Sequence, residues 1–550
     1  MRELFGIDHL KIAALLVLGL LLAKSYSNLL TVKFNLHIGN GNYTAGAVYF
    51  LVYGLALLAF CVAPFIDAAR IRIPLVTVFM LGYDFDSILI DATGAELNLR
   101  MARTIWAESR HPVLLAPYLD DIIAHSARAA ILGIILAWQP RRARLPRVWA
   151  LPSIVCMIAI GSIIVRTKGA TQEFPAPLSA LPMIALAVLE DTASPSRVAG
   201  MPPDAVAQPV ASHIVLVVDE SVRGDYLQIN DAKRTNTPFL ASRRDELINF
   251  GIAISAANCS AAARKMIRDG TRQGEIGQGP STGLFAHAKR AGYRTVVIDA
   301  WKDVAAYSSA SDWAFIDEYI PITVSPPHDR DHLAALQLAK LLDGKQPTFV
   351  YVSKFGIHYP YNLSYPDAQA STNNRLARSL ISFVGFSRPS LAGWDEEDQA
   401  RMREQYEQAI KWSVDGFFAK LNPKVNWPTT LLIYTSDHGQ TLWEKGYTTT
   451  HCSTRAPYVA ESYVPMLAFT GVKALEPRLR HAAAKHRDKA SHFDMFATLL
   501  LGMGFAETYV LERTDSSLIH IPTDRRRKFL IGGSKGTGDW SDGAEWVKAD

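Results

Sequence analysis

The sequence predicts two unlike parts in one chain. An N-terminal α-helical membrane domain of about five spans is followed by a C-terminal α/β domain with a mostly parallel central sheet. Three observations predict this. First, the 550 residues are 49% hydrophobic and 20% charged, with a mean hydropathy of +0.07. The charged fraction is below the usual quarter of a soluble enzyme, whereas a chain that is membrane throughout would be far more apolar. Second, apolar runs of spanning length crowd the first part. Third, from His213 onward short β-rich runs alternate with amphipathic stretches. The apolar content and only four cysteines exclude a disordered chain and a small disulfide scaffold.

The spans come first. Residues 11–23, 46–66, 73–91 and 148–165 are apolar runs near the length a helix needs to cross the hydrocarbon. Asp84 and Asp86 interrupt the third. A weaker stretch between Pro112 and Trp138 has apolar pieces at 113–119 and 129–138, and it completes the five. The first run lacks a small-x-small cleavage site before Lys24 and is expected to remain as an uncleaved helix. Arg70 and Arg72 lie in one short gap, and Arg141, Arg142, Arg144 and Arg147 in another. With five spans both gaps fall on the same side, which the positive-inside bias makes cytoplasmic. Everything after Arg166 is then outside, although Arg100, Arg103 and Arg110 run against the bias.

The domain boundaries follow: 1–166 membrane, 167–210 linker, 211–550 the α/β domain. The linker is rich in Ala, Pro and Ser, and its piece LSALPMIALAVL is expected to lie as a helix on the membrane surface. Strands are expected at 213–219, 294–300, 347–354, 429–437 and 463–471, with helices at 330–343 and 397–420. Continuous β-branched runs separated by helices imply a parallel sheet buried on both faces.

In such sheets ligands bind beyond the carboxyl ends of the strands. Asp219 and Glu220 follow one run, Asp437 and His438 another, and His358 closely follows a third. Singly, each reads as a cap, a turn or an exposed imidazole. Together they deliver carboxylates and imidazoles to one rim, an oxygen and nitrogen donor set that suits Zn²⁺, with Mn²⁺ as the alternative.

These residues carry a family resemblance. Glu220 in VVDESVRGDYL, Ser260 in NCSAAAR, His358 in FGIHYPYNLSYP and Asp437-His438 in YTSDHGQTLWEKGYTTTH resemble the motif series of the alkaline phosphatase/sulfatase superfamily. More narrowly they resemble the bacterial inner-membrane phosphoethanolamine transferases, as does the late helix SHFDMFATLLLGMGF. The resemblance implies a sulfatase-like (alkaline phosphatase-like) fold over roughly 213–505, set in the periplasm by a multi-pass inner-membrane anchor of five spans. It implies that Ser260 is the nucleophile and that Glu220, Asp437, His438 and Ser260 hold a catalytic zinc. His358 and His451 fall on the substrate side, where a second metal or the phosphate is held. Asp219 is a candidate additional ligand or a turn residue. The implied donor is phosphatidylethanolamine, and the acceptor a lipid A, lipopolysaccharide core or other envelope glycan group. Membrane lipids are expected as surroundings, a monomer as the assembly, and nucleic acid as no partner.

The pattern departs from the family in places. Serine stands for the usual threonine at 260, so Ser255 and Ser281 also compete as nucleophile by residue type. Gln440 stands where Glu is common, and Asp219 where the transferases have Gly. Cys61 and Cys156 lie in spans as packing residues. Cys259 and Cys452 each flank a site residue, and they pair if their loops meet or stay as thiols if not. A sulfatase would carry C-x-P-x-R, but here the proline is absent and the arginine falls one place late from Cys259. Phosphoglycerol transfer to a periplasmic glucan or similar polymer is the nearer rival, ahead of a sulfatase or phosphodiesterase-type hydrolase.

Overall fold

The computed structural model describes residues 9–19, 43–93, 102, 106, 119–140, 143–166, 174, 176–193, 201–202, 208–275, 282–301, 310–324, 326–359, 361–366, 396–447, 450–453, 457–531, 534–535, 539–540 and 544–550. Two compact units are present, one built on residues up to Thr192 and one on residues from Ala193.

The first unit is helical: α1 (His9–Gly19), α2 (Tyr43–Val62), α3 (Ala69–Thr93), α4 (Leu119–Ala137), α5 (Leu151–Arg166) and α6 (Ala176–Ala193). Val52, Ala56 and Ala59 of α2 pack with Cys156 and Ile160 of α5, while Val76, Met80 and Tyr83 of α3 pack with Ala129 and Leu136 of α4. The opposite faces leave Phe50, Leu51, Leu57 and Ile158 exposed, an apolar face of the kind that a membrane or a partner covers. Among the described residues, two segments, Gly46–Phe65 and Arg147–Arg166, are long and apolar enough to cross a bilayer; His9–Gly19, Ile122–Ala137 and Pro177–Leu189 are apolar but shorter. Residues 113–118 of the weak run lie outside the described residues.

Two buried cations gather helix ends. Lys11 Nζ donates to Pro64 O at 2.8 Å and to Leu136 O. Arg72 donates to Ile66 O at 2.6 Å, Asp67 O at 2.9 Å and Ala137 O at 2.9 Å. Leu145, just before α5, exchanges backbone bonds with Phe65 and Asp67 at 2.8 and 2.9 Å. The starts of α1, α3 and α5 therefore meet the ends of α2 and α4. The cations answer carbonyls that helix C-termini leave without partners.

The second unit is built on a seven-stranded sheet in the order β2-β7-β6-β1-β5-β3-β4. The strands are β1 (His213–Asp219), β2 (Ile248–Ile254), β3 (Arg294–Asp299), β4 (Glu318–Pro321), β5 (Thr348–Ser353), β6 (Thr430–Ser436) and β7 (Tyr463–Thr470). The pairs β1–β5, β1–β6, β3–β4 and β3–β5 are parallel, and β7 runs antiparallel to both β6 and β2. Every residue of β1, β5 and β6 is buried, as continuous β-branched and aliphatic runs require when both faces are covered. All five expected strands are present, so the sheet is mostly parallel as read.

Three features differ from expectation. β2 escapes notice because Asn249 and Gly251 break its pattern at a register shift. β4 is a four-residue edge. The single helix expected over 397–420 is Glu396–Ala409, a π-helical turn at Ile410–Asp415, and Gly416–Leu421. A π-turn keeps helical patterning, so periodicity does not reveal it.

Candidate active site

The central strands end at one rim. Parallel pairing sets Asp219 of β1 beside Ser436 of β6 and Val218 beside Ser353 of β5. Glu220, Asp437 and His438 thus leave neighbouring strand ends, and one ligand atom from each lies within 4.8 Å of the others. All three are fully buried.

His438 donates from Nδ1 to Gly439 O at 2.6 Å, which turns the Nε2 lone pair toward the cluster. Nε2 lies 3.0 Å from Ser260 Oγ and 3.6 Å from Glu220 Oε1. Ser260 is the first residue of α7 (Ser260–Asp269), capped in extended geometry by Cys259. Its hydroxyl sits where helix N–H groups favour developing negative charge. Of the rival serines, Ser255 donates its hydroxyl to Ala257 O at 2.7 Å, and Ser281 lies outside the described residues.

Arg264 was not read as a site residue. It stands one helical turn after Ser260 and is fully buried. It donates to Asp437 Oδ2 at 2.9 Å, Glu220 Oε2 at 3.0 Å and Ser353 Oγ at 2.9 Å. The signal was present. Counted from Ser260 rather than Cys259, the arginine has the interval of C-x-P-x-R. Burial and the Asp437 carboxylate push the Glu220 carboxyl well up, with Arg264 opposing. Burial also raises Asp437, but His438 and Arg264 outweigh it and hold this carboxyl well below the usual range. The two acids in effect compete for one cation's worth of compensation.

Asp219 faces elsewhere. Its Oδ2 takes the Lys354 ammonium and the Tyr434 hydroxyl, the latter at 2.8 Å. Its Oδ1 takes the Glu220 N–H at 2.9 Å. An Asp where the transferases have Gly is accounted for by the buried Lys354. Gly356 turns the following loop at φ +64°, and a Cβ there would lie 2.5 Å from Asp219 Oδ1, so the approach requires glycine.

His358 and His451 join the site as a row of rings. His451 stacks on His438 with centroids 4.4 Å apart, and His358 lies 6.1 Å from His451 with Trp301 behind it at 5.1 Å. Burial and the neighbouring His438 and His358 hold His451 well below its ordinary value, so it is neutral at pH 7. Cys259 and Cys452 form a disulfide with Cα atoms 4.9 Å apart, closing a separation of 193 residues. Cys259 is therefore not the free thiol a sulfatase would modify.

Among protein families, residues 212–505 match the one described as Sulfatase. The chain belongs to the sulfatase family. A curated relative, the Kdo(2)-lipid A phosphoethanolamine 7''-transferase of Escherichia coli (strain K12), is 23% identical over 334 residues. That alignment covers 56% of this chain and 55% of the relative, so the chain spans about half the length of the curated relative it matches. Among solved structures, the periplasmic domain of EcEptC from Escherichia coli in complex with Zn is similar at TM-score 0.46 and 18% identity, over 62% of this chain and 94% of that one. The integral membrane lipooligosaccharide phosphoethanolamine transferase A (EptA) from Neisseria meningitidis is similar at TM-score 0.47 and 17% identity, over 81% and 87%. The sulfatase match spans the whole rim, from β1 through the loop after β6 to the last core helix, α8 (Met495–Gly502).

Proposed function

We propose that this sulfatase-family protein is an inner-membrane phosphoethanolamine transferase working through a phospho-serine intermediate. The observation that carries it is Ser260 Oγ at a helix N-terminus, 3.0 Å from the inward Nε2 of His438. The name of the Escherichia coli relative supports the group transferred.

Glu220, Asp437, His438 and Ser260 would hold a zinc ion, with manganese as the alternative. The donor set fits, since the tautomer of His438 leaves a nitrogen lone pair facing two carboxylates and a hydroxyl. When bound, the ion lowers the pKa of the serine hydroxyl and neutralises phosphoryl charge. Ser260 Oγ attacks the phosphorus of phosphatidylethanolamine, and the bond from phosphorus to the diacylglycerol oxygen breaks. The serine proton ends on that oxygen, and the ring nitrogens of His451 and His358 can carry it there. In the second half the acceptor oxygen attacks the phosphoserine, and Ser260 leaves with the acceptor's proton. The acceptor is a hydroxyl or phosphate of lipid A, the lipopolysaccharide core or another envelope glycan. Asp219 serves as the partner of Lys354 rather than as a ligand.

The anchor fits a lipid donor. Helix ends alternate about the Lys11–Arg72 cluster, which supports five spans with that end cytoplasmic and the sulfatase unit periplasmic. The chain is expected to act as a monomer.

The test is mass spectrometry of envelope lipids and glycans from cells with and without the gene. The expected result is one phosphoethanolamine gained on a defined acceptor and lost in Ser260→Ala. A phosphoglycerol gain would select the rival transfer, and full activity of Ser260→Ala would remove the nucleophile.

A further inference from the structure

Glu461 lies between the catalytic loops without belonging to the metal cluster. It sits in the turn Val459–Ser462 that leads into β7 and is fully buried. Its Oε2 accepts from Asn258 Nδ2 at 2.8 Å and from the Ser453 N–H at 3.1 Å. Its backbone oxygen accepts the Gly439 N–H at 2.9 Å. One residue thus touches three loops: that of Ser260, that of His451 and that of Asp437-His438.

The first two loops are tied further. Asn258 O accepts the Cys452 N–H at 2.9 Å, and Asn258 Nδ2 also donates to Ser453 O at 2.9 Å. The Cys259–Cys452 disulfide runs beside these bonds. Cys452 itself sits at φ +60°, a left-handed backbone that a non-glycine residue adopts only when its surroundings impose it. The residue before it is His451, which stacks on His438. A displacement of about 1 Å in such a row costs on the order of a hundredfold in rate.

We propose that Glu461 is a positioning residue: with the Cys259–Cys452 bond as its covalent partner, it clamps the nucleophile loop to the histidine loop and so sets Ser260 against His451. This rests on the proposed transfer reaction for its kinetic consequence but not for its physical one. A carboxylate that holds both loops also holds the two sulfurs together, which raises their effective concentration and favours the disulfide. Removing the carboxylate must therefore make the bond easier to reduce, whatever the enzyme's substrate.

The experiment uses the full-length protein with zinc in phosphatidylethanolamine vesicles, comparing wild type, Glu461→Leu, Glu461→Gln and Asn258→Ala. The first arm poises each protein in graded ratios of reduced and oxidised dithiothreitol, then alkylates and counts free thiols by mass. Dithiothreitol supplies the two electrons and two protons and ends as its own cyclic disulfide. Glu461→Leu and Asn258→Ala are expected to shift the equilibrium toward the dithiol by about tenfold, and Glu461→Gln, which keeps the acceptor oxygen, to recover most of that. The second arm follows diacylglycerol release. A fall of about tenfold in kcat is expected for Glu461→Leu, with KM and zinc content retained. An unmoved redox equilibrium in folded Glu461→Leu, or in Asn258→Ala if the leucine variant fails to fold, overturns the clamp. Loss of rate only in step with loss of zinc overturns the positioning role. Absence of diacylglycerol release from wild type defeats the transferase reading alone, and the redox arm still decides the clamp.

Discussion

Arg264 shows how much one side chain decides at the residue scale. It lies buried between two carboxylates that would otherwise face each other. Removing one partner of a buried ionic network costs about 3–5 kcal/mol, because charge is left without compensation. Arg264→Met is expected to lower the metal-free protein's stability by that amount, and added zinc to restore part of it by neutralising the same acids. Thermal denaturation with and without zinc measures both, and a wild-type melt without zinc would refute the role. The metal-site acids were legible in the sequence because strand ends are where such residues gather. Arg264 was not, because its meaning depends on counting from the right nucleophile. Glu461 was less legible still, since a lone acid before a strand carries no pattern.

Among the elements, two histidines act as wedges that work only when neutral. His492 accepts the Ala256 N–H at 3.0 Å and meets Thr435 Oγ1 at 3.1 Å, joining the nucleophile loop to the end of β6. His287 lies among Phe496, Phe505 and Tyr509. Burial lowers His492 to about 3 and His287 to about 4. Unfolded histidines titrate near 6.5. Below that pH the unfolded chain gains protons that the native one refuses. The stability these groups contribute is full above pH 6.5 and falls as pH drops toward 4 and 3. Each contributes roughly a tenfold change in the folding equilibrium per pH unit. Chemical denaturation at pH 7.5, 6.5 and 5.5 tests this, and a flat profile would exclude it. The buried central strands were readable as continuous aliphatic runs. β2 and β4 were not, because a register shift and an edge position remove that signature.

At the scale of the whole molecule, hydropathy separates the two units, and the cations at helix ends give the first one a direction. If the Lys11–Arg72 end is cytoplasmic, a cysteine at Gln139, between α4 and α5, is shielded from outside reagents, whereas one at exposed Lys345 in the sulfatase unit is open to them. In intact spheroplasts lacking Cys61, a membrane-impermeant maleimide is expected to label Lys345→Cys and spare Gln139→Cys. The reverse pattern would invert the topology. The near-zero mean hydropathy is thus an average over an apolar helical part and a sulfatase-family α/β part.

The strand order has a consequence for the order of events in biogenesis. β1 is made early, yet its metal-site neighbour β6 lies more than 200 residues later, and the pairing of Asp219 with Ser436 is what brings the ligands together. Contacts so distant in sequence form late in folding. A chain still being made therefore carries Ser260 for a long interval with no Asp437 or His438 beside it. The cluster of Glu220, Asp437 and His438 is complete only once β6 has joined the sheet, so a chain interrupted before β6 lacks it.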